Sequence, residues 1–202
     1  EIRYTTDGSE PHEYSMLYRR PLIIKQSQIV KCATFKDGKR LGQILAIPVH
    51  VSGVTGRNVL RSTSVERRLV NGVRGSLKNT DDEWTFWKKN DSIAVTIDVG
   101  ARKRLGKVTL GYLNHFGLGI HKPQKVEVWL SDNDVHYWKA TEQTFGRDEI
   151  FAEGRFTEEM EFIFKDVARY VRVIMKGAGM CPEHHVRPGL EAQIYLDEVL
   201  IE

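Results

Sequence analysis

A chain of 202 residues with 41% hydrophobic content can build two small domains or one large one around a sizeable core. Its apolar stretches are strand-sized and broken by charges, so no transmembrane segment is expected. The formal net charge of +3 sits at the front, where residues 1–50 hold eight Lys or Arg against five Asp or Glu, while residues 51–202 hold twenty-two of each. The local basic run of Arg57, Arg61, Arg67, Arg68 and Arg74 comes without a reading motif, which argues against nucleic acid as a partner.

In chain order, Ile2 to Thr6 has strand character and ends at the turn pair Asp7-Gly8. Leu22 to Ile24 and Ile29 to Phe35 are the next expected strands. In the second, Val30, Cys32 and Thr34 face one way and Lys31, Ala33 and Phe35 the other. Asp37-Gly38 predicts a hairpin turn into a strand over Ile44 to Val51. Fifty residues of β structure are thin for a self-sufficient sandwich. Either the unit leans on a neighbour, or it is a sandwich whose first strands precede Glu1, which is the expectation taken here. The Gly-, Ser-, Thr- and Arg-rich stretch from Val51 to Ser64 predicts the joint.

The remainder is again all-β. Ser92 to Val99 puts Ile93, Val95, Ile97 and Val99 on one face, and Lys107 to Leu113 follows. Lys125 to Leu130 alternates Val126, Val128 and Leu130 with polar or bulky neighbours. Glu159 to Phe164, Ala168 to Met175 and Ala192 to Ile201 complete the strands. Many short strands between Gly- and Pro-bearing loops point to a sandwich or barrel rather than to βαβ units.

No catalytic centre is evident. Asp197 and Glu198 are adjacent on a strand, and alternation turns them to opposite faces, away from any shared site. Asp81, Asp82 and Glu83 fall in a polar loop. The seven histidines show no zinc-enzyme spacing, and Glu183-His184-His185 supplies no complete metal shell. Cys32 and Cys181 form no metal motif and are expected as buried thiols or a bridge. No phosphate loop or nucleophile elbow appears, and no organic cofactor is expected.

Aromatic and polar residues share three loops, which hold Trp84, Phe86 and Trp87, then Asn114, His115, Phe116 and His121, then His184, His185 and Arg187. An aromatic face beside directional donors suits a sugar, and loops on a rigid sandwich are where such groups belong. Trp84 and Trp87 equally suit the base of the core. Asn71, Ser76, Asn79, Asp81 and Glu198 are oxygen donors of the kind calcium takes, if the turn from Leu69 to Asp81 wraps an ion that Glu198 closes.

Two resemblances follow from longer runs. IRYTTDGSEP, Tyr18, LII and IVKCATFKDGKRLG resemble the small β-sandwich behind the catalytic barrel of family 20 β-N-acetylhexosaminidases and chitobiases, over about residues 1–48. From about residue 56 to 202, LVNGVRGS, DDEWTFW, IAVTIDVG, KVEVWLSDNDVHYW, ARYVRVIMKG and YLDEVLIE resemble a coagulation factor V/VIII type C, or discoidin-like, domain, whose bacterial versions include family 32 carbohydrate-binding modules. CPEHH and the final DEV resemble copies attached to hexosaminidases of Bacteroidetes. The fold implied is a partial immunoglobulin- or fibronectin-like sandwich over residues 1–50, then a jelly-roll sandwich over residues 56–202.

The second resemblance implies one structural calcium ion held by Asn71, by the Arg74 carbonyl, by Ser76 and by Glu198. Asn71 departs from the family's usual Asp and brings one negative charge fewer. Sugar contacts vary within the family, and the candidates here are Trp87, His115, Phe116, His184, His185 and Arg187. His184-His185 replaces a familiar tryptophan–histidine pair and so lacks one stacking face. The implied role is that of a non-catalytic C-terminal segment of an exported glycoside hydrolase, a β-N-acetylhexosaminidase, outside the cell, in the periplasm or at the cell surface. Its partners would be glycans ending in N-acetylhexosamine or galactose. The alternative is a segment that braces the parent enzyme's catalytic barrel without sugar affinity.

Overall fold

The computed structural model describes residues 1–60, 66–88 and 92–202. They form two compact units, Glu1–Val51 and Ser52–Glu202.

The first unit is a single antiparallel sheet of four strands, β1 (Ile2–Thr5), β2 (Met16–Leu17), β3 (Gln28–Lys36) and β4 (Lys39–Val49), in the order β2-β1-β3-β4. The hairpin turn forms where Asp37-Gly38 predicts it. Lys36 pairs with Lys39, and both turn residues have positive φ, 51° and 75°, the hand that matches the twist of the flanking strands. Burial falls on both faces of β3, with Val30 on one and Ala33 and Phe35 on the other. The strand expected over Leu22 to Ile24 is absent. Pro21 removes a backbone donor at its start, Ile23 lies exposed, and Met16–Leu17 pairs with β1 instead.

The second unit begins before the expected joint ends. The Gly53 N–H donates to the Ile201 carbonyl, and β5 (Asn58–Leu60) pairs with Asp98 to Thr96, so Ser52 to Leu60 belongs to this unit's sheet. Residues 61–64, with Arg61, lie outside the described residues. A 3₁₀ turn, Glu66–Val70, then sends Leu69 and Val70 into the core.

The remaining strands are β6 (Thr85–Trp87), β7 (Ser92–His115), β8 (Lys125–Ser131), β9 (Trp138–Thr144), β10 (Arg155–Lys176) and β11 (Ile194–Ile201), in the order β6-β11-β7-β10-β8-β9. Sequence alternation predicts two short strands in place of each of β7 and β10. The two long strands pair from end to end except at register shifts between Ile163 and Asp166 and between Ala168 and Tyr170, the second of which leaves Val99 to Arg102 without a partner in β10. Such shifts bend a strand. The first half of β7 is flanked by β5 and β10, the second half by β11 and β10. Inward side chains of both halves, Val95, Ile97 and Val99 from one and Val108, Leu110 and Tyr112 from the other, meet in one core. They are joined there by Val126, Val128, Leu130, Met160, Phe162, Val173 and Met175. The result is an all-β sandwich. No helix among the described residues is long and apolar enough to cross a membrane.

Candidate functional site

The turn between residues 71 and 84 meets the last strand. The register between β11 and β7 shifts between Leu196 and Val199, so β11 carries a bulge at Asp197 and Glu198. The bulge interrupts alternation, and both carboxylates turn to the same loop rather than to opposite faces as the sequence predicts. Asp197 accepts from Arg74 Nη1 at 2.9 Å and from the Gly75 N–H at 3.0 Å, while Glu198 accepts from the Gly72 N–H at 2.9 Å. Arg74 also pairs with Glu159. Gly111 of β7 makes room for this crossing, because a Cβ there would overlap both the Arg74 guanidinium and the Asp197 carboxylate.

Glu198 is fully buried, and its Oε1 has no hydrogen-bond partner among the described residues. Burial, and to a lesser extent the neighbouring Asp197 charge, push its carboxyl up to about 9. The other proposed calcium residues are engaged differently. Asn71 Oδ1 accepts from the Val73 N–H and its amide nitrogen donates to Glu83, while Ser76 Oγ accepts from the Lys78 N–H. The Arg74 guanidinium is occupied by Asp197 and Glu159, which leaves its backbone carbonyl as the only group it can offer a cation.

Two loops meet at the end of β7. A 3₁₀ turn, Phe116–Leu118, is followed by Ile120, which bridges to His115 and to Gln193. His121 and His185 are both buried, with their Nε2 atoms 3.1 Å apart. The Phe116 ring packs on His185 with centroids at 4.1 Å, and Phe151 lies against His121 at 5.0 Å. Burial, then the adjoining His185, pushes the His121 ring down to about 4. His185 is also shifted down, by burial first and then by the charges of His184 and Arg187. His115 shifts down for the same leading reason, followed by the Arg155 charge, and its buried Nδ1 has no hydrogen-bond partner among the described residues.

The sugar candidates therefore separate. His115 and Phe116 are half-buried beside His184 and Arg187, which are exposed. His185 is turned inward, buried beneath the Phe116 ring. Trp87 lies on β6, opposite Ile194, half-buried and packed on the core. Its neighbour Phe86 is the exposed member of that strand and stacks on Tyr195 at 5.1 Å. Trp84 is core, in a small cluster with Leu113, Ile120 and Tyr195. Both cysteines are free thiols, and burial raises the thiol of Cys181. Its approach to His121 and His185 has no signature in spacing, since the three residues come from two distant loops.

Comparison with known proteins adds the following. A family model described as Fn3 associated matches residues 1–48. Chitosan-binding module 1 of a chitosanase/glucanase from Paenibacillus sp. IK-5 superposes with a TM-score of 0.50 at 13% identity, covering 76% of this chain and 99% of that module. The likeness is one of fold. A CBM32 module from Clostridium perfringens, solved with GalNAc-β-1,3-galactose, matches at 14% identity with a TM-score of 0.44, covering 67% of this chain and 81% of its own. No curated protein matches. The second unit is thus a sandwich similar to carbohydrate-binding modules.

Proposed function

We propose that the second unit is a non-catalytic carbohydrate-binding module that takes its ligand on the loop surface carrying His115, Phe116, His184 and Arg187. The observation that carries this reading is the anchored loop pair. The buried His121–His185 contact and the Phe116 ring on His185 tie the 115–121 loop to the 180–190 loop, so the polar groups around them stand on a fixed base. Arg187 and His184 supply directional donors and the edge of Phe116 an apolar face, the mixture a pyranose ring requires. The ligand class is a glycan ending in N-acetylhexosamine or galactose. The parent is an exported β-N-acetylhexosaminidase, a reading supported by the sequence runs of residues 1–48 and by the sandwich that follows them.

Titration calorimetry of the intact chain with N-acetylglucosamine, N-acetylgalactosamine and galactose oligosaccharides, with calcium present, tests the module. Saturable binding is expected, weakened at least about tenfold, or roughly 1.4 kcal/mol, by Arg187→Ala with the fold intact. The packing of Trp87 on the core favours the second reading, a brace for the catalytic barrel. Absence of binding to the whole panel at millimolar sugar would select it.

One calcium ion belongs to this proposal. Oε1 of Glu198, buried without a hydrogen-bond partner among the described residues, is the feature that a cation would satisfy, with the Arg74 carbonyl, Asn71 and Ser76 beside it on the turn. Bound calcium would fasten the 71–84 turn to β11. Calcium at a hundred times its Kd is expected to add about 2.7 kcal/mol to the stability of the wild type. At about 2–4 °C per kcal/mol for a unit of this size, thermal unfolding would show the shift. In Glu198→Gln the shift should vanish, and its persistence there would place the ion elsewhere.

A further inference from the structure

We propose that His121, Cys181 and His185 bind one zinc(II) ion at the root of the two loops. Their ligand atoms all lie within 4.8 Å of one another, and all three side chains are buried. The two Nε2 atoms are 3.1 Å apart, close to the roughly 3.4 Å that two imidazoles adopt on a tetrahedral zinc with bonds of about 2.0–2.1 Å. A donor set of two imidazoles and a thiolate, without a carboxylate, selects a soft transition metal over calcium or magnesium.

The surroundings prepare His121 as a ligand. Asn114 donates its amide hydrogens to the carbonyls of Ala152 and Gly154, at 2.9 and 3.2 Å, which leaves its Oδ1 facing His121 Nδ1 at 3.3 Å. The proton of His121 therefore sits on Nδ1, and the Nε2 lone pair points at the cluster. A hydrogen-bonded partner on the far ring nitrogen is the usual support of a zinc-bound histidine. His185 is arranged for the metal-free state, since its Nδ1 accepts from the Arg187 N–H at 2.8 Å and its Nε2–H donates to His121. On binding, the Cys181 thiol loses its proton to solvent and forms the zinc–sulfur bond. The His185 proton moves from Nε2 to Nδ1, and the Arg187 N–H gives up its acceptor. Three protein ligands leave a fourth position for water. Zinc would replace one hydrogen bond between the loops by coordinate bonds.

The competing account is a pair of neutral, hydrogen-bonded histidines beside an inert thiol, which takes up no metal. Chelator-stripped, reduced protein, intact and carrying Cys32→Ser, would be titrated with zinc(II) under native mass spectrometry, and with cobalt(II) as an absorbing substitute. One equivalent of zinc is expected, with a cobalt spectrum showing a thiolate charge-transfer band. That band should disappear in Cys181→Ser and survive in Glu198→Gln and His184→Ala, and Asn114→Ala should weaken zinc by about 10- to 100-fold. Should Cys181→Ser fail to fold, alkylation of Cys181 in the folded parent gives the same answer: zinc must slow it. No zinc uptake, a cobalt complex without the thiolate band, or alkylation indifferent to zinc would overturn the proposal.

Discussion

Trp84→Ala is expected to destabilise the second unit by about 3–5 kcal/mol, the range for deleting a large buried aromatic. The indole is 2% exposed and packs with Leu113 at the end of β7, Ile120 in the loop beyond it and Tyr195 on β11. Its ring lies directly on the backbone of Gly75, and its Nε1 donates to the Ser76 carbonyl at 3.0 Å. Truncation thus opens a cavity between three elements and leaves the 71–84 turn without the side chain it folds around. Collapse is hindered because β7 and β11 are held in register by their own ladder. Urea unfolding of the intact chain measures the loss. A change below about 0.5 kcal/mol, typical of a surface site, would mean that the indole is exposed in solution. Because Ile120 shares the cluster and precedes His121, the same variant should loosen the candidate sugar loops, which faster hydrogen exchange at Gly119 and Ile120 would report.

What the sequence made legible was decided by local periodicity. Val126, Val128 and Leu130 alternate in the sequence and are all fully buried, and Asp37-Gly38 forms the turn that its composition demands. Strand length was less legible. Gly100 to Gly106 contains three Lys or Arg residues and resembles a loop, yet β7 runs through it, because the strand bends there where its ladder with β10 shifts register and exposes its side chains. The β11 bulge was hidden for a related reason. Alternation assumes an unbroken pleat, and one extra residue reverses which face Asp197 or Glu198 addresses. Tertiary convergence left no trace in spacing at all. Sixty residues separate His121 from Cys181, and only the pairing of β7, β10 and β11 brings their loops together. His185 stood out as a polar loop residue, but periodicity does not apply in an irregular loop, so its burial was not legible.

The second large effect is expected at Arg74. Asp197 lies buried with Arg74 and the Gly75 N–H as its partners, in a space that exists because residue 111 has no side chain. Arg74→Ala leaves that carboxylate without its counter-charge, and breaking a buried pair in this way costs about 3–5 kcal/mol. Burial already raises the Asp197 carboxyl above its ordinary value, with Arg74 as the leading opposing influence. Without Arg74 the folded state would bind that proton still more strongly than the unfolded chain does. An acid raised in this way contributes stability below its unfolded value and loses it as pH climbs through the folded value. The deficit of Arg74→Ala should therefore be largest at alkaline pH and shrink towards acid, measured with calcium chelated and in a Glu198→Gln background so that the raised Glu198 carboxyl does not contribute. Adding Asp197→Asn should recover part of the loss by removing the stranded charge, and the double-mutant cycle gives the coupling. A deficit independent of pH would assign the effect to packing of the arginine stem, and the bulge at Asp197 and Glu198 would then be held by its backbone contacts rather than by charge.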